Sequence, residues 1–279
     1  MTRTLARPAA TVVEDDRPRP ASARAIDVAR IYWLETRYEF IKLLRLPAYS
    51  IPTITFPVMF YALFGLSFGT GRSAGPVTMA TYLIPTYGAF GVIGAALFGL
   101  GVGVAIERGQ GWLLLKRATP MPPLAYFAAK GAMSLIFGAI IITMLALLGI
   151  FFGNVRLEPS QWARLATALV LGAVPFCALG LAIGYFAGPN AAPAIVNIIY
   201  LPMGFASGMW IPIEFLPRFM QSLAPWLPAY HLSQLALASI GASRGGPVLA
   251  HVAALTGFTA CCLALALIGY RRDEGKTYG

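Results

Sequence analysis

Side chains able to do acid–base, nucleophilic or metal chemistry are few in this chain, and they are scattered. Among 279 residues there are two histidines and three cysteines. Cys177, Cys261 and Cys262 lie inside apolar runs rather than loops, which suits small buried hydrophobes and not a disulfide scaffold or a redox pair. His251 stands alone near the end of another apolar run, the place of a satisfied interfacial group rather than a proton relay. No acid or histidine constellation lies where an ion-coupled carrier would hold one. The paired Asp, Ser-Lys and HExxH arrangements of intramembrane proteolysis are also missing. Gly275-Lys276-Thr277 ends like a phosphate loop, but position 270 is Tyr rather than Gly, and two residues after Thr277 leave no helix to hold a phosphate. The chain is therefore expected to have no catalytic residue, no metal site and no nucleotide site of its own.

Two segments carry more information. The first reads Glu107-Arg108-Gly109-Gln110-Gly111-Trp112-Leu113-Leu114-Leu115-Lys116-Arg117-Ala118-Thr119-Pro120-Met121-Pro122: an acid, two glycines, a short apolar-basic helix and a Thr-Pro stop. Read blandly it is a connector. A stub bearing Trp112 and three leucines is nevertheless too apolar for water and needs lipid or a partner. The second, Gly208 to Leu232, is apolar yet broken by four prolines. Neither half can cross a bilayer, so short broken helices dipping in from one face fit it best, with a surface-lying loop as the alternative.

The elements that must position these segments follow from composition. Hydrophobic residues make up 58% of the chain and charged ones 11%, against about 25% charged in a soluble domain. This is the composition of a polytopic membrane protein. Charge-free runs at 46–71, 77–106, 131–155, 165–213 and 245–270 are long enough to span. The fourth is divided by Gly188-Pro189-Asn190-Ala191-Ala192-Pro193. Six helices are expected, near 50–69, 79–105, 124–152, 163–187, 193–210 and 248–270, in an all-α fold. With both termini inside, sixteen Lys and Arg fall on the inner side and five on the outer. The net charge of +10 is thus mainly a topology signal, not a sign of nucleic acid.

Residues 1–24 are Pro-, Ala- and Arg-rich and read as a disordered cytoplasmic tail. Over 25–46, Ile26, Ala29, Trp33, Thr36, Phe40 and Leu44 recur on one helical face and charges fill the opposite arc. That pattern predicts an amphipathic helix in the membrane plane, or a soluble helix packed on a partner. Its key residues are Trp33, Arg37, Phe40, Lys42 and Arg45. Pro47 and Pro52 limit its continuation into the first span.

With E-R-x-x-G and T-P-M-P at 107–122, and G-x-x-x-P-x-x-x-L-P with P-W-L-P-A-Y-H at 208–231, the chain resembles the membrane (permease) subunit of type-2 ABC exporters. The resemblance covers nearly the whole sequence. It departs from the family where Gly109-Gln110-Gly111-Trp112 replaces the usual acid-Gly-Thr. It implies residues 47–279 as a six-helix permease domain with a re-entrant outer hairpin before the last span. It also implies a dimer, here expected as a homodimer in a bacterial inner membrane, and two copies of a separate ATPase that binds ATP and Mg. Coupling to that ATPase would fall to Glu107, Arg108, Gly109, Gly111, Trp112, Leu114, Lys116, Arg117, Thr119 and Pro120. A translocation path would be lined by Phe56, Phe60, Phe64, Phe90, Phe98, Asn197, Tyr200 and Phe205. An outer gate would comprise Trp210, Pro212, Glu214, Leu216, Pro217, Trp226 and Pro228. The implied activity is export of an amphipathic or hydrophobic small molecule, drug-like, lipid or lipid-linked glycan. A secondary transporter or a non-transporting scaffold is the alternative.

Overall fold

The computed structural model describes residues 21–67, 73–74, 76–119 and 121–274. Residues 1–20 of the expected tail, Pro120, and Gly275-Lys276-Thr277 lie outside the described residues.

Helix α1 covers Ala21–Leu44, starting inside the segment expected as tail. The chain turns at Arg45-Leu46, and α2 (Pro47–Phe60) opens on a proline, which lacks only a donor the first turn could not use. Pro52 and Pro57 lie within α2, which passes into a π-helical turn over Tyr61–Ser67. A minimal antiparallel hairpin, β1 (Ser73–Ala74) with β2 (Val77–Thr78), leads to α3 (Met79–Ala96). There the Thr78 hydroxyl accepts the Thr81 amide at 3.2 Å as the N-cap. The same rod continues through a π-helical stretch, Leu97–Val102, into α4 (Gly103–Gly109). After α5 (Trp112–Arg117) come α6 (Pro123–Phe151), α7 (Pro159–Gly172), α8 (Val174–Phe186) and α9 (Ala192–Ala206). The broken segment that follows holds α10 (Arg218–Leu223) between two 3₁₀ turns. Helices α11 (Pro228–Ser239) and α12 (Val248–Glu274) complete the chain.

Among the described residues five helical stretches are long and apolar enough to cross a membrane: Pro47–Ser67, Met79–Gly109, Leu124–Phe151, Pro159–Phe186 and Val248–Asp273. At the expected fifth span, 193–210, stands α9, of 15 residues. At ~1.5 Å per residue it covers roughly 22 Å of a ~30 Å hydrocarbon core. It ends where Gly208 takes φ +73°, a conformation that costs glycine nothing.

The rod α3 is the axis of the molecule, and every residue from Ala80 to Ala96 is buried. Small residues allow this, because neighbouring helices approach where a Cβ would otherwise stand. A Cβ on Gly94 would lie 2.7 Å from the Tyr200 hydroxyl, and one on Gly101 would lie 3.4 Å from the Gly180 backbone. These glycines serve packing within the subunit.

The three cysteines divide. Cys262 is buried and Cys177 partly so, but Cys261 is exposed on α12, contrary to the expectation for all three. Helix α12 is packed on one side only, and the helix period turns adjacent residues to different faces, so Cys262 faces inward and Cys261 outward.

Candidate functional site

The last turn of α4 and the segment after it are built from residues that each point a different way. Glu107 turns inward. Its Oε1 accepts Lys130 Nζ of α6 at 3.0 Å and Lys42 Nζ of α1, and its Oε2 accepts the Tyr126 hydroxyl at 2.5 Å. Arg108 reaches the other way, donating to the Tyr185 carbonyl and, at 2.7 Å, to the Ala187 carbonyl. These are carbonyls that the C-terminal end of α8 leaves open, where a cation also suits the helix dipole. The same guanidinium lies 3.4 Å from Asp273 of α12. A Cβ on Gly109 would come within 2.6 Å of Pro189 Cγ, in the turn before α9, and Gly111 takes φ +76°.

That left-handed turn throws α5 away from the rod. Leu113 packs with Val104, Tyr126 and Tyr185, whereas Trp112 and Leu115 are 53% and 62% exposed, and Thr119 is exposed. Lys116 folds back to pair with Glu35 of α1 and sits 4.6 Å above the Tyr126 ring. Leu114 and Arg117 fall within α5.

A charged knot therefore joins α1, α4 and α6. Lys130 Nζ lies 2.7 Å from Glu39 Oε1 and 3.0 Å from Glu107 Oε1, and Lys42 Nζ lies 3.0 Å from Glu39 Oε2. Lys130 and Glu39 are 2% and 5% exposed. Charges this deep persist only when paired. Lys42 stays half exposed; burial works against its charge, but the Glu107 and Glu39 carboxylates outweigh that and hold its pKa above the ordinary lysine value.

One member of the charged arc expected on α1 turns inward: Glu39 is buried, while Trp33 and Leu44, on the expected apolar face, are 66% and 51% exposed. Phe40 packs on Phe137 of α6, ring centroids 6.3 Å apart. Lys130 explains the burial of Glu39: a buried ammonium on α6 needs a carboxylate brought to it, and α1 supplies it. Arg37 and Arg45 remain on the surface.

Above the knot lies a cavity of about 440 Å³. Glu39, Lys42, Glu107 and Lys130 are at one end, and its walls come from α2, the α3–α4 rod and α9, including Tyr49, Phe56, Phe98, Asn197 and Tyr200. One end is ionic; the rest is mostly aromatic and aliphatic, with Thr53, Gln110 and Asn197 as its polar side chains. Of the expected path residues, Phe56, Phe98, Asn197 and Tyr200 line this cavity and Phe60, Phe64, Phe90 and Phe205 do not. Three of these gather around Trp210, with centroids at 5.4 Å for Phe60, 5.6 Å for Phe90 and 6.0 Å for Phe205. Phe64 stacks on Phe60 at 6.1 Å. Tyr200 joins the two sets, stacking on Phe90 at 4.4 Å and donating its hydroxyl to the Phe90 carbonyl at 2.8 Å.

The expected gate residues also divide. Trp210, whose carbonyl accepts the Tyr87 hydroxyl at 3.2 Å, is half-buried, and Pro212 and Leu216 are buried. Pro228 starts α11. Glu214 pairs with Arg244 at 3.0 Å on the surface, Pro217 is exposed, and Trp226 is 84% exposed, so these three do not join the closed aromatic cluster. His251 is not alone as expected: its Nδ1 lies 2.8 Å from His231 Nδ1, and His231 Nε2 lies 3.0 Å from the Pro225 carbonyl.

Sequence reasoning missed Glu39, Tyr126 and Lys130 as members of the site. The signal was Lys130 itself, a cation at the start of a long apolar helix, which requires a partner from elsewhere.

With this geometry in place, comparison with known proteins adds two findings. The family model described as ABC-2 type transporter matches residues 31–240. Over 237 residues the chain is 30% identical to a Bacillus subtilis (strain 168) protein named as a transport permease, YvfS; the match covers 85% of this chain and 95% of that protein.

Proposed function

Since the chain belongs to the ABC-2 type transporter family, a family of multi-pass transport permeases that work with an ABC ATPase, we propose that it is the transmembrane subunit of an ATP-driven exporter. Its cargo is an amphipathic or hydrophobic small molecule: drug-like, lipid or lipid-linked glycan. It leaves across a bacterial cytoplasmic membrane, with both termini of the permease on the cytoplasmic side. The complex comprises two permease copies and two ATPase subunits, and ATP and Mg are bound by the latter.

One observation carries this reading: the 440 Å³ cavity has an ionic end made of the same Glu107 that opens the α5 segment. In this reading the ATPase grips the exposed Trp112 and Leu115. A push on α5 reaches Glu107 and Arg108 directly. Glu107 passes it to α6 and α1 through Lys130 and Lys42, and Arg108 passes it to α8 and α12 through the Tyr185 and Ala187 carbonyls and Asp273. The cavity wall and the coupling stub thus move together. The aromatic cluster around Trp210 closes the far side until that movement separates α2, α3 and α9. Export is distinguished from other transport by reconstituting the permease with its ATPase in proteoliposomes. ATP-dependent movement of an amphipathic fluorescent cargo, lost with a hydrolysis-deficient ATPase, is the expected result; equal movement without ATP overturns the proposal.

A further inference from the structure

A second concavity, about 950 Å³, runs between α7, α11 and α12 and shares no residue with the cavity above. Its walls include Ala168 and Leu171 of α7, Leu235 of α11, and Val252, Thr256 and Leu263 of α12. The hydroxyls along it are already used. Thr167, Thr256 and Thr259 donate to the carbonyls of Ala163, Val252 and Leu255 at 2.8, 2.8 and 2.7 Å, and Ser239 donates to that of Leu235 at 3.1 Å. The groove therefore presents hydrocarbon along its length. The exception is at one end, where Arg164 lies in the second turn of α7. Nearby acids are engaged: Glu158 accepts the Ser160 hydroxyl at 3.3 Å, and Glu214 holds Arg244. Among the described residues no carboxylate pairs with Arg164.

We propose that this groove is a phospholipid site, in which an acyl chain lies between α7 and α12 and an anionic headgroup pairs with Arg164. Both α7 and α12 belong to stretches long and apolar enough to span, and both begin at the end where Arg164 sits. The cation is thus at headgroup level and the apolar part at hydrocarbon depth. From Val248 to Leu263 the groove follows α12 for roughly 22 Å at ~1.5 Å per residue, close to the ~20–22 Å of one leaflet with its headgroup layer. The charge pattern, one cation above an otherwise apolar trough, is complementary to a phosphate on an acyl chain.

Native mass spectrometry of the purified full-length permease, titrated with dioleoylphosphatidylglycerol or dioleoylphosphatidylethanolamine, tests this. The wild type is expected to retain the anionic lipid more strongly, and Arg164→Gln to lower that retention about fivefold, toward the zwitterionic level. Arg164→Lys should keep most of the preference. Ala168→Phe, which fills the trough, should reduce retention of both lipids. Equal retention of the two lipids by the wild type, or unchanged retention by Arg164→Gln, overturns the site. So does a change of oligomeric state in Ala168→Phe without a change in lipid, since a second copy would then be the occupant. Should Ala168→Phe fail to fold, the Arg164 pair of variants still decides the matter.

Discussion

Lys130 Nζ lies 2.7 Å from Glu39 Oε1, with the two side chains 2% and 6% exposed, although 91 residues separate them. This contact holds α1 against α6. Glu107 accepts a second bond from the same ammonium, so removing Lys130 takes a buried partner from two carboxylates at once and leaves Lys42 as their shared cation. Breaking one side of a buried pair costs about 3–5 kcal/mol, mostly as the penalty on the charge left behind. Lys130→Met should therefore lower the thermal midpoint of the detergent-solubilised permease sharply. The Glu39→Gln, Lys130→Met double variant should lose less than the sum of the singles. Strict additivity would mean that the two groups are not coupled.

Trp112 and Leu115 are exposed on a six-residue helix whose Leu113 packs inward and whose Lys116 pairs with Glu35. If they form the ATPase-facing surface, Trp112→Ser with Leu115→Ser should abolish co-purification of the ATPase while leaving the midpoint within a few degrees of wild type. Arg108→Ala should do the reverse, lowering the midpoint through the loss of charge-assisted bonds to the Tyr185 and Ala187 carbonyls, about 1.5–3 kcal/mol. Loss of the ATPase in both variants to the same degree, at equal stability, would defeat this division of roles.

Gly111 sets the direction of α5. At φ +76° a β-branched side chain costs roughly 1–2 kcal/mol, although the space around a Cβ there is open. Gly111→Val is therefore expected to leave expression intact but weaken ATPase binding more than Gly111→Asn, since Asn tolerates the left-handed region. Equal binding by both variants would show that the angle of α5 does not matter.

Much of the architecture was legible because lipid imposes a simple rule: long charge-free runs must be helices. The rule weakens at residues 193–210, where Pro202 and Gly208 fall within the run and α9 stops short. The candidate site was half legible. Glu107, Gly111 and Trp112 announce themselves by local pattern, an acid at a span's end followed by glycines and an apolar stub. Glu39 and Lys130 do not, because a buried ion pair across 91 residues leaves no local periodicity. The His231–His251 contact was hidden in the same way, each histidine lying on a different helix. Among the aromatics, sequence could say that Phe60 and Phe98 lie on spans, but only packing separates Phe98 on the cavity wall from Phe60 beneath Trp210.

The charged knot also has a pH signature. The Lys42 pKa is raised in the fold above its ordinary value of 10.5, the carboxylates of Glu107 and Glu39 overcoming the opposing effect of burial. A raised lysine pKa gives stabilisation that is fully present below the unfolded value and is lost as pH climbs through the folded one. The difference in midpoint between wild type and Lys42→Met should stay level from neutral pH to about 10 and shrink above it. A difference that shrinks toward acid instead would assign the effect to another group.

Finally, the division of the aromatics yields a kinetic test of the cavity itself. Phe98 and Asn197 line the cavity without joining the cluster around Trp210. Phe98→Ala and Asn197→Ala should therefore change the cargo concentration that half-maximally stimulates the reconstituted ATPase, with little effect on its maximal rate, as expected when cargo binding alone is altered. Phe60 stacks on Trp210 at 5.4 Å and on Tyr87 at 6.4 Å, so Phe60→Ala loosens the closure above the cavity. It should raise the cargo-free ATPase rate or the passive leak of cargo and leave the half-maximal concentration nearly fixed. Removing a packed aromatic costs about 3–5 kcal/mol in a soluble core. The comparison therefore holds only between variants whose thermal midpoints match, and Phe60→Leu is the replacement to use if Phe60→Ala falls below the others. If all three variants shift the half-maximal concentration equally, the cavity and the aromatic cluster form one continuous cargo site, and the cluster has no separate role as a closure.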